Sequence, residues 1–84
     1  MTRLWEVSEL IQMEIDLSGM PFCFIWKKER HLVQEIGKRW RVDLGWWRLH
    51  IWREHYKLTT QTGLLVIVYH DLLAGRWYFQ RLYD

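Results

Sequence analysis

The stretch Leu49-His50-Ile51-Trp52-Arg53-Glu54-His55-Tyr56-Lys57-Leu58-Thr59-Thr60, then Gln61-Thr62-Gly63, then Leu64-Leu65-Val66-Ile67-Val68-Tyr69-His70, decides the fold class. Its first part reads as one long strand. Leu49, Ile51, Arg53, His55 and Lys57 project one way, and His50, Trp52, Glu54, Tyr56 and Leu58 the other. Thr59–Gly63 is the hairpin turn, with Gly63 at the left-handed position that a tight return requires. Leu64–His70 is the most apolar run of the chain and reads as a central strand covered on both faces.

Outward from this hairpin, strands continue in both directions. Asp71-Leu72-Leu73-Ala74-Gly75 turns the chain, Asp71 capping the turn, and Arg76–Tyr83 forms the last strand. Towards the N-terminus, Ile11, Met13, Ile15 and Leu17 alternate with polar residues, Ser18-Gly19-Met20-Pro21 breaks the pattern, and Phe22–Trp26 pairs back. Lys27–Arg30 is a polar turn without the Gly or Asn that tight hairpins favour. In 28–40, Leu32, Val33, Ile36 and Trp40 fit either a short amphipathic helix or a bulged strand; the strand is favoured. Arg39–Arg48 reads as a connection turning at Asp43-Leu44-Gly45. The expected fold is all-β, about six short antiparallel strands in a meander, as a curved sheet or small, partly closed barrel. One domain covers 11–84, with 1–10 as an N-terminal extension, and the outermost strands, 11–17 and 76–83, offer free edges for a partner or a second copy.

Composition narrows the function classes. The 84 residues, half of them hydrophobic and 17% aromatic, exclude disorder and leave room for one core. A single cysteine excludes a disulfide framework. No apolar run approaches the ~20 residues that span a bilayer, and the first residues lack a signal-peptide core, so the chain reads as cytoplasmic. The four histidines and Cys23 lack the paired spacing of a zinc site; an approach of His55 and His70 across their hairpin would supply two ligands, which do not close one. Ser8 and Ser18 occupy no nucleophile elbow, and the five glycines are isolated, so neither hydrolytic nor nucleotide-binding signatures are present. No metal, no cofactor and no enzymatic activity are expected.

The charge is unevenly distributed. Residues 1–26 carry one cation and four anions, whereas 27–57 carry nine cations and four anions, a net +5. Within the basic middle, cations adjoin rings at Trp40-Arg41, Trp46-Trp47-Arg48, Trp52-Arg53 and Tyr56-Lys57, with Arg76-Trp77-Tyr78 beyond it. Single-stranded nucleic acid is held by such pairings, phosphates on cations and bases on rings. The same pattern also arises where bulky rings fill a small core and the alternate positions face water. Trp26, Trp52, Tyr69, Trp77 and Phe79 are therefore assigned to packing first. Trp46 and Trp47 are adjacent in an extended segment, so one of them faces outward.

Several strings together carry a resemblance. They are Arg39-Trp40-Arg41, Gly45-Trp46-Trp47-Arg48, Arg53-Glu54-His55-Tyr56-Lys57-Leu58, Val68-Tyr69-His70-Asp71 and Gly75-Arg76-Trp77-Tyr78-Phe79-Gln80-Arg81-Leu82-Tyr83-Asp84. The chain resembles a small bacterial domain family of unknown function. That family also occurs at the C-terminus of ImuB-like proteins, Y-family polymerase relatives of SOS mutagenesis. The likeness spans about residues 11–84 and leaves Lys27–Arg30 and the first ten residues without counterpart. It implies a bacterial cytoplasmic setting in DNA repair and translesion synthesis, and transfers no catalytic residue. Two functions follow as expectations. The first is a non-catalytic module binding single-stranded or primer-template DNA through Arg39, Arg41, Trp47, Arg48, Arg53 and Lys57. The second is a protein-interaction module docking a repair polymerase or recombinase through Trp46 or Trp47.

Overall fold

A computed structural model describes residues 4–46 and 49–83. Six strands run β1 Leu4–Ile15, β2 Pro21–Trp26, β3 Glu29–Trp46, β4 Leu49–Thr60, β5 Leu65–Asp71 and β6 Arg76–Tyr83. Each pairs antiparallel with its neighbour, and β6 returns to β1, so the all-β sheet is a closed barrel. Closure depends on β1 changing partners. Leu4–Ile11 lie along Tyr83–Trp77 of β6, and Gln12–Ile15 lie along β2. Residues 4–10 are thus barrel wall, which corrects their reading as an extension. The same pairing corrects the expected free edge at 76–83, since β6 is flanked by β5 and β1; residues 12–15 pair with β2 alone, the pairing of β1 with β6 ending at Ile11.

The turns are built locally. Asp16 accepts from the Ser18 and Met20 backbone N–H groups and the Ser18 hydroxyl, at 2.9, 3.0 and 2.6 Å. Asp71 caps its turn by accepting from the Leu73 and Ala74 N–H groups. Gly63 has φ +91°, the conformation read from the sequence. Lys27 and Lys28 also adopt positive φ, 52° and 65°, closing a two-residue hairpin between Trp26 and Glu29 without glycine or asparagine. The right-handed twist of the flanking strands demands those angles whatever residues occupy the turn.

Inside the barrel, Ile11, Phe24, Trp26, Tyr56, Leu58, Val66, Val68, Trp77 and Phe79 form the core, backed by Met13, Met20, Val33, Ile36 and Leu64. Trp26 stacks on Phe79 at 4.2 Å between centroids, and Tyr56 packs on Trp77 at 5.3 Å. The Trp26 indole N–H donates to Glu9 at 2.9 Å, satisfying a buried polar group. β5 is covered on both faces, with Val66, Ile67, Val68 and Tyr69 all buried.

No helix forms in 28–40; this segment belongs to β3. The helix-like spacing has a specific cause. Register shifts lie between Val33 and Glu35 and between Ile36 and Lys38, so three residues of β3 separate the partners of Thr60 and Leu58. A bulge inserts an extra residue and reverses the alternation, which lets Val33 and Ile36 both face the core. The expected turn at Asp43–Gly45 is also absent. Asp43 pairs with Trp52, Leu44 with Ile51 and Gly45 with His50. Among the described residues, β4 has no register partner on β5 on the Leu49 side of Arg53, where the Leu72 N–H donates to the Trp52 carbonyl. The distal β3–β4 hairpin therefore projects as a two-stranded arm. The radius of gyration of 13.0 Å exceeds the about 12 Å of a compact chain of this length accordingly.

Candidate nucleic-acid interface on the convex face

The registers of four strands bring one row of rings together on the outside of the barrel. Trp40 is opposite His55, His55 opposite Tyr69, and Tyr69 opposite Tyr78. Successive centroids lie 5.2, 5.2 and 5.1 Å apart, with the rings standing side by side as cross-strand neighbours do. Packing closes over the middle of the row: His55 is 5% exposed and Tyr69 3%. The end members, Trp40 and Tyr78, stay half-buried.

Cations bracket this row. The Lys38 ammonium lies 5.6 Å from the Trp40 ring and the Arg53 guanidinium 4.5 Å from the Tyr69 ring. Lys57 pairs with Lys38 across β3 and β4 and shares their face. Two like charges set directly opposite disfavour folding and favour any anion that lies over them. On this face Arg76 pairs in register with Asp71.

The concave side of the arm is arranged differently. Arg39 and Arg41 each donate through Nε to a separate oxygen of Glu54, both at 2.8 Å. The Glu54 side chain is 8% exposed, and the two arginine side chains are 51% and 54% exposed. Burial alone would raise the Glu54 pKa; the hydrogen bonds and charges of Arg39 and Arg41 outweigh it and hold Glu54 below its ordinary range. Arg39 also lies over Tyr56 and Arg41 over Trp52. Further in, His70 stacks on Trp77 at 4.4 Å with rings 1° from parallel, and burial lowers its pKa.

The residues singled out in the sequence are thus divided. Arg53 and Lys57 are on the convex face, with His55 between them. Arg39 and Arg41 face the other way, each tied to Glu54. Trp47 and Arg48 lie outside the described residues. Of the residues assigned to packing, Trp26, Tyr69, Trp77 and Phe79 are buried; Trp52 is half-buried on the arm, and Tyr69 packs in the outer row rather than the barrel. Lys38, Trp40 and Tyr78 also belong to the convex surface, though none is among the binding residues expected from the sequence. The signal for Lys38 and Trp40 is strand parity, which places them on one face, and reading 39–48 as a connection hides it.

His55 and His70 do not approach. His70 pairs with Glu54, the residue before His55, so the two imidazoles occupy opposite faces. Among the described residues no three His, Cys, Asp or Glu side chains gather in a metal-binding group. A groove of about 440 Å³ lies where β1 changes partners, lined by Leu10, Ile11, Gln12, Ile25, Gly75, Arg76 and Trp77. It offers one cation on an apolar floor and no acid–base pair. Comparisons with protein-family models, with curated proteins and with solved structures find no match for the chain.

Proposed function

We propose that this chain is a small non-catalytic accessory module that holds single-stranded or primer-template DNA weakly on the convex face of its barrel. The setting, bacterial DNA repair and translesion synthesis in the cytoplasm, comes from the resemblance in the sequence. The observation that carries the reading is the convex row, where Lys38, Arg53 and Lys57 surround Trp40, His55, Tyr69 and Tyr78. Cations there track phosphates, and the half-exposed end rings, Trp40 above all, offer a base a surface to stack on. Arg39 and Arg41 have a lesser share, because Glu54 already neutralises one of their two charges.

Titration of the intrinsic Trp fluorescence with oligothymidine tests this. Three phosphate contacts give a slope of about −2 in log K against log salt. Arg53→Ala and Lys57→Ala each flatten that slope by about 0.7. Arg30→Gln, where Arg30 sits between Glu14 and Cys23, leaves it unchanged. A flat titration at low salt rejects the reading. The competing function, docking to a repair polymerase or recombinase, is favoured by the open arm with Leu44 58% exposed near its end. A partner that co-purifies through nuclease treatment and high salt would establish it.

A further inference from the structure

The edge of β3 that faces away from β4 is open for most of its length. β2 covers Glu29–Leu32, and among the described residues no strand pairs with that edge from Val33 to Trp46. The lower part is guarded as natural edges are, by two bulges and by Lys38. From Trp40 to Trp46 the register runs without a shift or a proline, and Leu44 is 58% exposed. Such a segment is a template for another strand.

We infer that a second copy of this chain occupies it, the two β3 strands pairing antiparallel about a two-fold axis at Val42. In that register Arg41 of each copy is opposite Asp43 of the other, giving two complementary pairs related by the axis. Trp40 meets Leu44, two apolar residues on the convex side, and Arg39 meets the small Gly45. Moving the axis to Arg41 or to Asp43 sets like charges against each other at the centre, and only the Val42 axis sets Arg41 against Asp43, so charge complementarity favours that register. The in-chain contacts leave the needed atoms available. Arg41 reaches Glu54 through Nε, leaving its terminal nitrogens, and Asp43 takes His50 on Oδ1, leaving Oδ2. The paired sheet would join the two convex faces into one surface. The inference stands without the nucleic-acid reading, since it rests on β3 alone.

Register-specific crosslinking, without DNA, tests it. Residues facing each other across the axis come within disulfide reach, so Val42→Cys forms a covalent dimer under mild oxidation. Leu44→Cys, four positions from its own copy in this register, crosslinks about ten-fold more slowly. The native Cys23 is fully buried and does not compete. Sedimentation equilibrium of the unaltered chain at high micromolar concentration shows a dimer, and Asp43→Arg returns it to monomer. Equal crosslinking at 42 and 44, faster crosslinking at 44, none at either, or a monomer mass throughout overturns the proposal.

Discussion

Glu54 is the residue on which the concave side of the arm depends. It is buried, ionised and tied to two arginines, and no other acid reaches either of them among the described residues. Glu54→Gln removes the counter-charge and leaves Arg39 and Arg41 to repel each other, so the variant unfolds at a lower temperature, as calorimetry will record. The pH dependence follows from the same group. Its folded pKa lies below about 4.5, so its contribution is complete above that value and is lost as pH falls through the folded one. His70 acts in the same direction at higher pH. Burial lowers its pKa, the unfolded chain binds the proton first, and stability falls as the pH drops below about 6.5. Denaturation measured against pH should show an acid limb in two parts, the upper flattened by His70→Gln and the lower by Glu54→Gln. The Lys27–Lys28 turn gives a prediction of opposite sign. Lys28→Gly relieves a left-handed conformation at φ 65° and stabilises the chain by about 1 kcal/mol in urea unfolding.

At the scale of elements, the long β3–β4 hairpin has two separable parts. Among the described residues, every core residue on it lies at or below Ile36 on β3 or at or beyond Tyr56 on β4. Replacing residues 43–52 by Asn-Gly should therefore leave a barrel with native near-ultraviolet dichroism and cooperative unfolding, while abolishing dimer formation. A non-cooperative product would show that the arm helps to hold the barrel. The hairpin also explains which part of the site was legible. The alternation of β4 is regular from Leu49 to Thr60, and its two faces were read correctly. β3 carries two bulges; a bulged strand is what the sequence favours for 28–40, and the structure shows two, whose reversals of the alternation cancel beyond Lys38. Reading Arg39–Arg48 as a connection assigns its residues no face, so Arg39 and Arg41 are grouped with Arg53 and Lys57, whereas their pairing in β3 turns them to the Glu54 side.

Over the whole molecule, stability rests on closure. β1 supplies the last seam of the barrel, with Leu4–Ile11 along β6 and Gln12–Ile15 along β2. Deletion of residues 1–10 strips one side of β6 and exposes the Trp77 and Phe79 strand to water. The truncated chain is predicted to lose the dispersed amide spectrum of the full one. Phe79→Ala, at the centre of the core with no exposure, costs about 3–5 kcal/mol by the lost packing and the cavity left behind. A truncated chain with native dispersion would return 1–10 to the status of an extension.

The all-β class, the hairpin at Gly63, the two faces of β4 and the double burial of β5 were determined by the sequence alone. Each depends on period-two alternation and turn chemistry within a few residues. Closure, the partner change of β1 and the meeting of Trp40, His55, Tyr69 and Tyr78 were decided by the tertiary structure. They depend on register between strands far apart in the chain, and register is set by how all six faces fit around one core. The basic middle segment shows the difference most directly. Its composition is local, but bulges and pairing sort its cations between a convex face lined with rings and a concave one held by Glu54.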